Sequence, residues 1–489
     1  MTVNQERHFA IRRAAPGILF ILVLAGSVAL SALAQAQNPT SAADPFWGSA
    51  TSQRATGEPL KLSLDDAVER GFKNNLGLKE AENEENSLHG EKNVVLQEFL
   101  PTITLTGDTG YHMYDLAALG FRPNLLSGFS SFPGGTTPAG FSNITRVDQT
   151  DGQIHYNQIL FSGPVIAGWK AAGAEERSAN FARIRARGEV VQRVATAYLR
   201  AIADESEVEN AQALVAQAQV LEDHTHAEHQ AGTAANLDEL RARVQLQTQQ
   251  QALIAAENQQ AKDLILLKRE IGIDPGQVIE LTDPAPYSEL AAETPEEVRA
   301  IAYKSRKDYQ ILQSQVVVYK AAHAAYRSRR LPTLSFNSYY GTTTVDGMGT
   351  HGNFAAVGTL SFPLFREARL RGDEDASQAQ LNAVNAQLAD LRDRIDEEVR
   401  AALLDVNASK QLVDVARSNV DLATQALHDE TDRVNAGVDD NLPLVTAQAT
   451  LATAESNLVE SLYQYNLSKL KLARAAGVIE TQYRVYLGR

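Results

Sequence analysis

Three histidines, His224, His226 and His229, crowd one short stretch. His226 and His229 stand three apart, the spacing that puts two side chains on one helix face. Two imidazoles so placed are half of a metal site, but a closed site needs further donors, and none follows at fixed spacing. The cluster is therefore read as a solvated helix end. Arg327, Arg329 and Arg330 form a second concentration of charge, suited to lipid phosphates or to neighbouring helices. A cationic helix terminus favoured by the dipole is the plainer reading. There is no G-x-S-x-G, no H-E-x-x-H and no phosphate-cradling glycine loop. Cysteine is absent, so thiol nucleophiles, thiolate metal sites, disulfides and a lipidated cysteine are all excluded. No catalytic residue, cofactor or metal ligand is assigned, and the chain is read as no enzyme.

Such residues must be positioned by something, and here the positioning elements occur twice. Pro101-Thr102-Ile103-Thr104-Leu105 returns 231 residues later as Pro332-Thr333-Leu334-Ser335-Phe336. Leu160-Phe161 returns as Leu364-Phe365, Ala231-Gly232-Thr233 as Ala436-Gly437-Val438, and Gly272-Ile273 as Gly477-Val478, at offsets of 204 or 205 residues. After the second strand the copies run almost without insertion. The difference lies between the two strands of each copy. Duplicated architecture, rather than a single pocket, follows.

Residues 1–36 read as a secretory signal: Arg7, Arg12 and Arg13 precede a short apolar run, Ile18 to Leu33, and small residues for cleavage. No other apolar run is long enough to span a bilayer as a helix. The chain carries a formal charge of −15, and removing the signal's net +2 leaves about −17. That balance excludes nucleic acid as a partner and suits either a solvated surface or a passage that favours cations.

Residues 37–59 read as a flexible or loosely docked arm. Ser63 is the predicted N-cap of a helix running to Phe99. Strands are predicted at 102–111, 153–161, 334–340 and 354–362, each alternating apolar and polar residues. Within each strand the faces separate: Ile103 and Leu105 against Thr104 and Thr106, Ile154 against His155, Tyr340 against Tyr339, and Phe354 against Ala355. Such segments of about ten residues fit tilted transmembrane strands. Helices are predicted at 166–230, 237–271, 367–435 and 443–476, with another at 294–330. Leu381, Val384, Leu388, Leu391, Ile395, Val399, Leu403 and Val406 form a coiled-coil seam. Repeat 1 spans 60–293 and repeat 2 spans 294–478, followed by a tail at 479–489. The fold class is mainly α with a small transmembrane β part. Four strands cannot close a barrel whose smallest versions need about eight. Three copies would supply twelve strands and a matching ring of coiled coils.

The order helix, Pro, strand, loop, strand, Leu-Phe, long helix, Ala-Gly turn, helix, Gly, occurring twice over about Leu60 to Val478, resembles the TolC-like outer membrane efflux protein family. Gly163, after Leu160-Phe161-Ser162, matches the family's glycine-bearing strand-to-helix turn. The resemblance implies a homotrimeric channel-tunnel. Its barrel would sit in outer membrane lipid, with a periplasmic helical tunnel that meets an adaptor protein and an inner-membrane transporter. It implies a passive conduit. A coiled-coil scaffold without a pore is the alternative, and the paired amphipathic strands speak against it. The family's periplasmic tip, gate and adaptor contact map here to Gly232, Thr233, Leu237, Asp238, Gly437, Val438, Asp439, Asp440, Leu442 and Pro443. Many members carry an acidic residue where this chain has Pro443. A carboxylate ring is therefore sought at Asp238, Asp439 or Asp440. Glycine at each turn takes positive φ freely. Asn236 or Asp238 is expected to cap the returning first helix, and Pro443 to occupy the first helical position of the second.

Overall fold

The computed structural model describes residues 44–50, 54–115, 144–232, 235–284, 287–291, 293–347, 349–436 and 441–488. The signal segment and the loop between the first two strands lie outside them. A first set of elements comprises β1 (Leu60–Leu62), α1 (Leu64–Asn74), α2 (Leu76–Gln97), β2 (Thr102–Asp115), β3 (Ile144–Phe161), α3 (Gly163–Ala231), α4 (Asn236–Ile271) and β4 (Ile279–Leu281). A second comprises α5 (Pro295–Ser305), α6 (Lys307–Ser328), β5 (Thr333–Val345), β6 (Gly349–Ser361), α7 (Glu367–Asn435), α8 (Asn441–Ala475) and α9 (Ile479–Leu487). The long helices α3 and α7 have 69 residues each, a length of about 100 Å at 1.5 Å per residue. Near the strands, α2 and α6 pack on α3, and α6 also packs on α7. Towards the other end α4 takes over beside α3 and α8 beside α7, with α8 also touching α3. Half-length helices thus succeed one another along each long one.

The four long strands form one antiparallel sheet in the order β2-β3-β5-β6. Each extends further than its alternation predicts, because the apolar pattern fades into polar residues that still pair. β3 begins at Ile144, not 153, and the β5–β6 connection shrinks to a tight turn flanked by Gly347 and Gly349, both at positive φ. Register aligns the faces across all four strands. Leu105, Ile154, Tyr340 and Phe354 form one cross-strand row, and all four are exposed, Leu105 by 78%. The opposite face carries the row Asp108, Asp151, Thr343 and His351, with Thr343 Oγ1 donating to Asp151 and Asn353 Nδ2 donating to Thr343 at 2.6 Å. An apolar face turned outward and a polar face behind it is the pattern of a sheet between lipid and water. Outer strands β2 and β6 each keep an open edge.

The seam read from sequence is the core of α7: Leu381, Val384, Leu391, Ile395, Val399 and Val406 are all buried, with Leu388 and Leu403 packed against the core cluster. Ser63 accepts from Asp66 N at 3.2 Å, capping α1 as its sequence predicts. The helix expected to run unbroken to Phe99 instead stops at Asn75. That residue leaves helical geometry, accepts from Leu78 N at 3.2 Å to cap α2, and donates from Nδ2 to Phe46 O at 2.8 Å. The helix expected over 294–330 breaks likewise at Arg306, 231 residues on. Each break receives the end of a returning helix. Asn74 Nδ2 donates to Ile271 O at 2.9 Å, and Arg306 reaches Ala475 O at 3.4 Å. Gly272 and Gly477, at φ +73 and +74, close those ends in left-handed geometry that only glycine adopts without cost.

The arm read as flexible or loosely docked is docked at its described residues 44–50: Phe46 packs on Gly77 and Arg193 pairs with Asp44, and just beyond the arm β1 pairs in parallel with β4. The tail is a helix, α9, burying Ile479, Tyr483, Tyr486 and Leu487. Its apolar residues recur every three or four positions, a period too brief to stand out in so short a segment.

Beside this junction Glu270 is buried, with Oε2 lacking a hydrogen-bond partner. Burial pushes its carboxyl up to about 7, with Arg193 opposing. A carboxyl raised on folding stabilises at low pH and loses that contribution as pH climbs from the ordinary glutamate range through about 7. Glu270→Gln is therefore expected to raise the thermal midpoint at pH 8, by up to about 3 kcal/mol of stability, and to change it little at pH 4. Calorimetry at the two pH values checks this.

Candidate functional site: the ends of the helical hairpins

Helix α3 ends at Gly232, whose φ of +76 reverses the chain, with its N–H donating to the carbonyls of Glu228 and His229. No atom approaches the position of a Cβ there, so conformation alone selects glycine. Helix α4 starts from Ala235, and neither Asn236 nor Asp238 caps it. Asn236 is already helical, and Asp238 sits in the first turn, where its charge meets the helix dipole and Arg241 Nη1 at 3.2 Å. Leu237 is exposed.

Behind the turn lies a clasp that the sequence reading missed. Glu239 is buried and accepts from His226 Nδ1 at 3.0 Å, from His229 Nδ1, and from Arg243 Nη2 at 2.8 Å. A carboxylate can only accept, so both imidazoles carry Nδ1–H. Arg243 also reaches Glu222 on α3 at 3.3 Å, bracing the two helices. The hydrogen bond from His226, then that from His229, holds the Glu239 carboxyl below its usual range. The histidines are thus not a bare solvated helix end. Their partner lay ten and thirteen residues away across a turn, beyond any fixed helical spacing. His224 stands apart, beside Glu228 at 3.6 Å, and among the described residues no group of three or more His, Asp or Glu gathers as a metal site.

At the second turn α7 closes on Ala436, whose N–H donates to Asp432 O at 3.0 Å. Gly437, Val438, Asp439 and Asp440, like Thr233 in the first turn, lie outside the described residues. Helix α8 begins at Asn441, so Leu442 is its second residue and Pro443 its third, rather than its first. Proline remains tolerable because first-turn amides have no helical partner. Next to it Leu444 packs with Leu221 of α3 and Ala242 of α4 in a small buried cluster, against which Leu427 and Val434 of α7 also pack. Four helices from both hairpins meet there. Leu444→Ala is expected to cost about 2 kcal/mol, speeding hydrogen exchange of residues 215–232 and 444–450 about 30-fold, whereas Leu237→Ala leaves it unchanged.

At the other end of the hairpins Arg329 pairs with Asp373 at 2.8 Å, and Arg330 with Glu374 at 2.7 Å and Glu367 at 3.3 Å. The cationic cluster thus ties α6 to the start of α7. Gly163 permits an equally close approach, since a Cβ there would lie 2.5 Å from Ser328 Cβ.

An open-edged amphipathic sheet continued by paired helices of about 100 Å is the architecture of one segment of a membrane barrel wall extended by a helical tunnel wall. The family model for outer membrane efflux protein matches residues 69–272 and 301–478, most of the chain, and the protein belongs to that family. Solved structures agree in fold. VceC from Vibrio cholerae has a TM-score of 0.68 at 16% identity, covering 85% of this chain and 96% of that one. The MtrE outer membrane channel of Neisseria gonorrhoeae, in its open state, has a TM-score of 0.69 at 15% identity, covering 91% and 98%. The CmeC outer membrane channel of Campylobacter jejuni has a TM-score of 0.68 at 14% identity, covering 91% and 93%. No curated protein sequence matches the chain. The protein is an outer membrane efflux channel with a periplasmic helical tunnel, and the scaffold alternative is not favoured. Family members are channels that work as trimers with an adaptor and an inner-membrane transporter.

Proposed function

We propose that three copies of this chain close a twelve-stranded barrel and a ring of helices, forming a passive export conduit on which no chemistry is done. The observation that carries this reading is the four-stranded sheet with its apolar face exposed and both edges open, since a lone sheet of this kind has no stable place in lipid. Exposed apolar stripes on the outermost helices support it. Leu237, Leu240, Val244 and Ile254 run along α4, and Leu404, Leu412, Val415 and Leu422 along α7, so α4 of one protomer would meet α7 of the next. The hairpin ends are the gate and the adaptor contact in this reading. Gly232, Thr233, Leu237 and Asp238 serve in the first, and Gly437, Val438, Asp439, Asp440, Leu442 and Pro443 in the second. The adaptor and an inner-membrane transporter would part the hairpins by shifting them between two packings. Repeat 1 at 60–293 and repeat 2 at 294–478 each contribute one hairpin. Native mass spectrometry from detergent tests the assembly: a three-chain mass is expected, and a monomeric soluble particle would contradict it.

A further inference from the structure

Leu364 and Phe365, just past the end of β6, are 88% and 97% exposed. Their counterparts in the first repeat, Leu160 and Phe161, lie 204 residues earlier, at the end of β3. There Phe161 stands opposite Leu334 of β5 and is 41% exposed. The first repeat thus shows what the second lacks within one chain, which is a following strand.

The two strand pairs match residue by residue, and the match names that missing strand. Thr102 pairs with Asn157 in β2–β3, and Thr333 pairs with Ser361 in β5–β6. The offsets are 231 and 204 residues, the same that relate Pro101 to Pro332 and Leu160 to Leu364. Between the pairs β3 runs beside β5, with Asn157 opposite Asn337. Moving β3 on by 204 residues turns it into β6, and moving β5 back by 231 turns it into β2. Asn157 becomes Ser361, and Asn337 becomes Thr106. The chain's own β2 is separated from β6 by β3 and β5, so the β2 required belongs to a second copy.

We propose that β6 of one copy pairs antiparallel with β2 of the next in the register that β3 keeps with β5, placing Ser361 opposite Thr106 and Thr359 opposite Asp108. The register rests on the trimeric reading above. The faces support it independently. A slip of one residue would turn the lipid face of one strand toward water. In this register Phe354 meets Met113 and Leu360 meets Gly107, and these residues all share the face of the exposed Leu105–Phe354 row. Bulk is complementary as well, since Leu360 meets a glycine and Tyr111 meets Ala356. At the foot of the seam Ile103, 65% exposed, comes to Phe365 of the neighbouring copy, as Leu334 stands opposite Phe161.

The absence of cysteine makes the register readable by disulfide trapping. Opposed residues of an antiparallel pair have Cα atoms about 4.5–5.5 Å apart, within reach of a disulfide. A slip of two residues adds about 7 Å along the strands and takes them out of reach. Inside one chain β2 and β6 are about 14 Å apart, so only neighbouring copies can be bridged. After mild oxidation, Ser361→Cys with Thr106→Cys is expected to give covalent trimers on boiled, non-reducing gels, and Ser361→Cys with Asp108→Cys none. Thr359→Cys with Asp108→Cys repeats the test should the first pair fail to assemble. Asn157→Cys with Asn337→Cys, opposed within one chain, sets the yield through loss of free thiol. Trimers on unboiled gels that cross-link only in the shifted pair, or in neither, overturn the register. Absence of trimers on unboiled gels would instead overturn the assembly on which it rests.

Discussion

Leu105→Arg is expected to abolish stable membrane insertion, while Thr104→Arg, one residue away, inserts normally. Leu105 shares its exposed row with Ile154, Tyr340 and Phe354, and Thr104 shares its row with His155, Tyr339 and Ala355. Alternate strand residues face opposite sides, so a single step along β2 exchanges lipid for water. An arginine on the lipid face costs about 2–4 kcal/mol near the midplane and less near the edges. In the proposed trimer that cost is incurred three times. Membrane fractionation and heat-resistant trimer on gels read the difference. Equal loss in both variants would place lipid elsewhere.

Gly477→Ala is expected to be strongly destabilising. Its φ of +74 costs an alanine about 1–2 kcal/mol. A Cβ would also stand 2.7 Å from Arg306 N, on backbone that cannot swing aside. With about 1–3 kcal/mol for that overlap, the loss approaches about 4 kcal/mol and should detach α8 from the α5–α6 break. Gly90→Ala supplies the contrast: it is helical, with nothing within 4 Å of its Cβ, and should stabilise by about 0.5–1 kcal/mol. Thermal midpoints of the two variants should move in opposite directions.

Much of this architecture was legible in the chain because it is carried by local pattern repeated at long range. Period-two alternation marked Ile103 and Leu105 as one face, and the register bears this out. Steps of three and four from Leu381 to Val406 marked the α7 seam. What escaped were features set by contacts between distant residues. Asn75 and Arg306 break helices because the ends at Ile271 and Ala475 arrive beside them, and nothing within either helix foretells the neighbour. The offset did hold the clue, for Asn75 and Arg306 stand 231 apart like the two strand-opening prolines. At the hairpin ends the turn glycine Gly232 was readable from residue type. The Glu239 clasp and the Leu221–Ala242–Leu444 cluster were not, because each joins helices whose pairing only the fold reveals.

Single-channel recording of the purified protein in planar bilayers, with selectivity read from the reversal potential, tests the central claim most directly. The account predicts stable openings from a detergent-resistant trimer, with cation selectivity as the mark of an acidic passage. Failure to insert, with the protein remaining a soluble elongated particle, would contradict it.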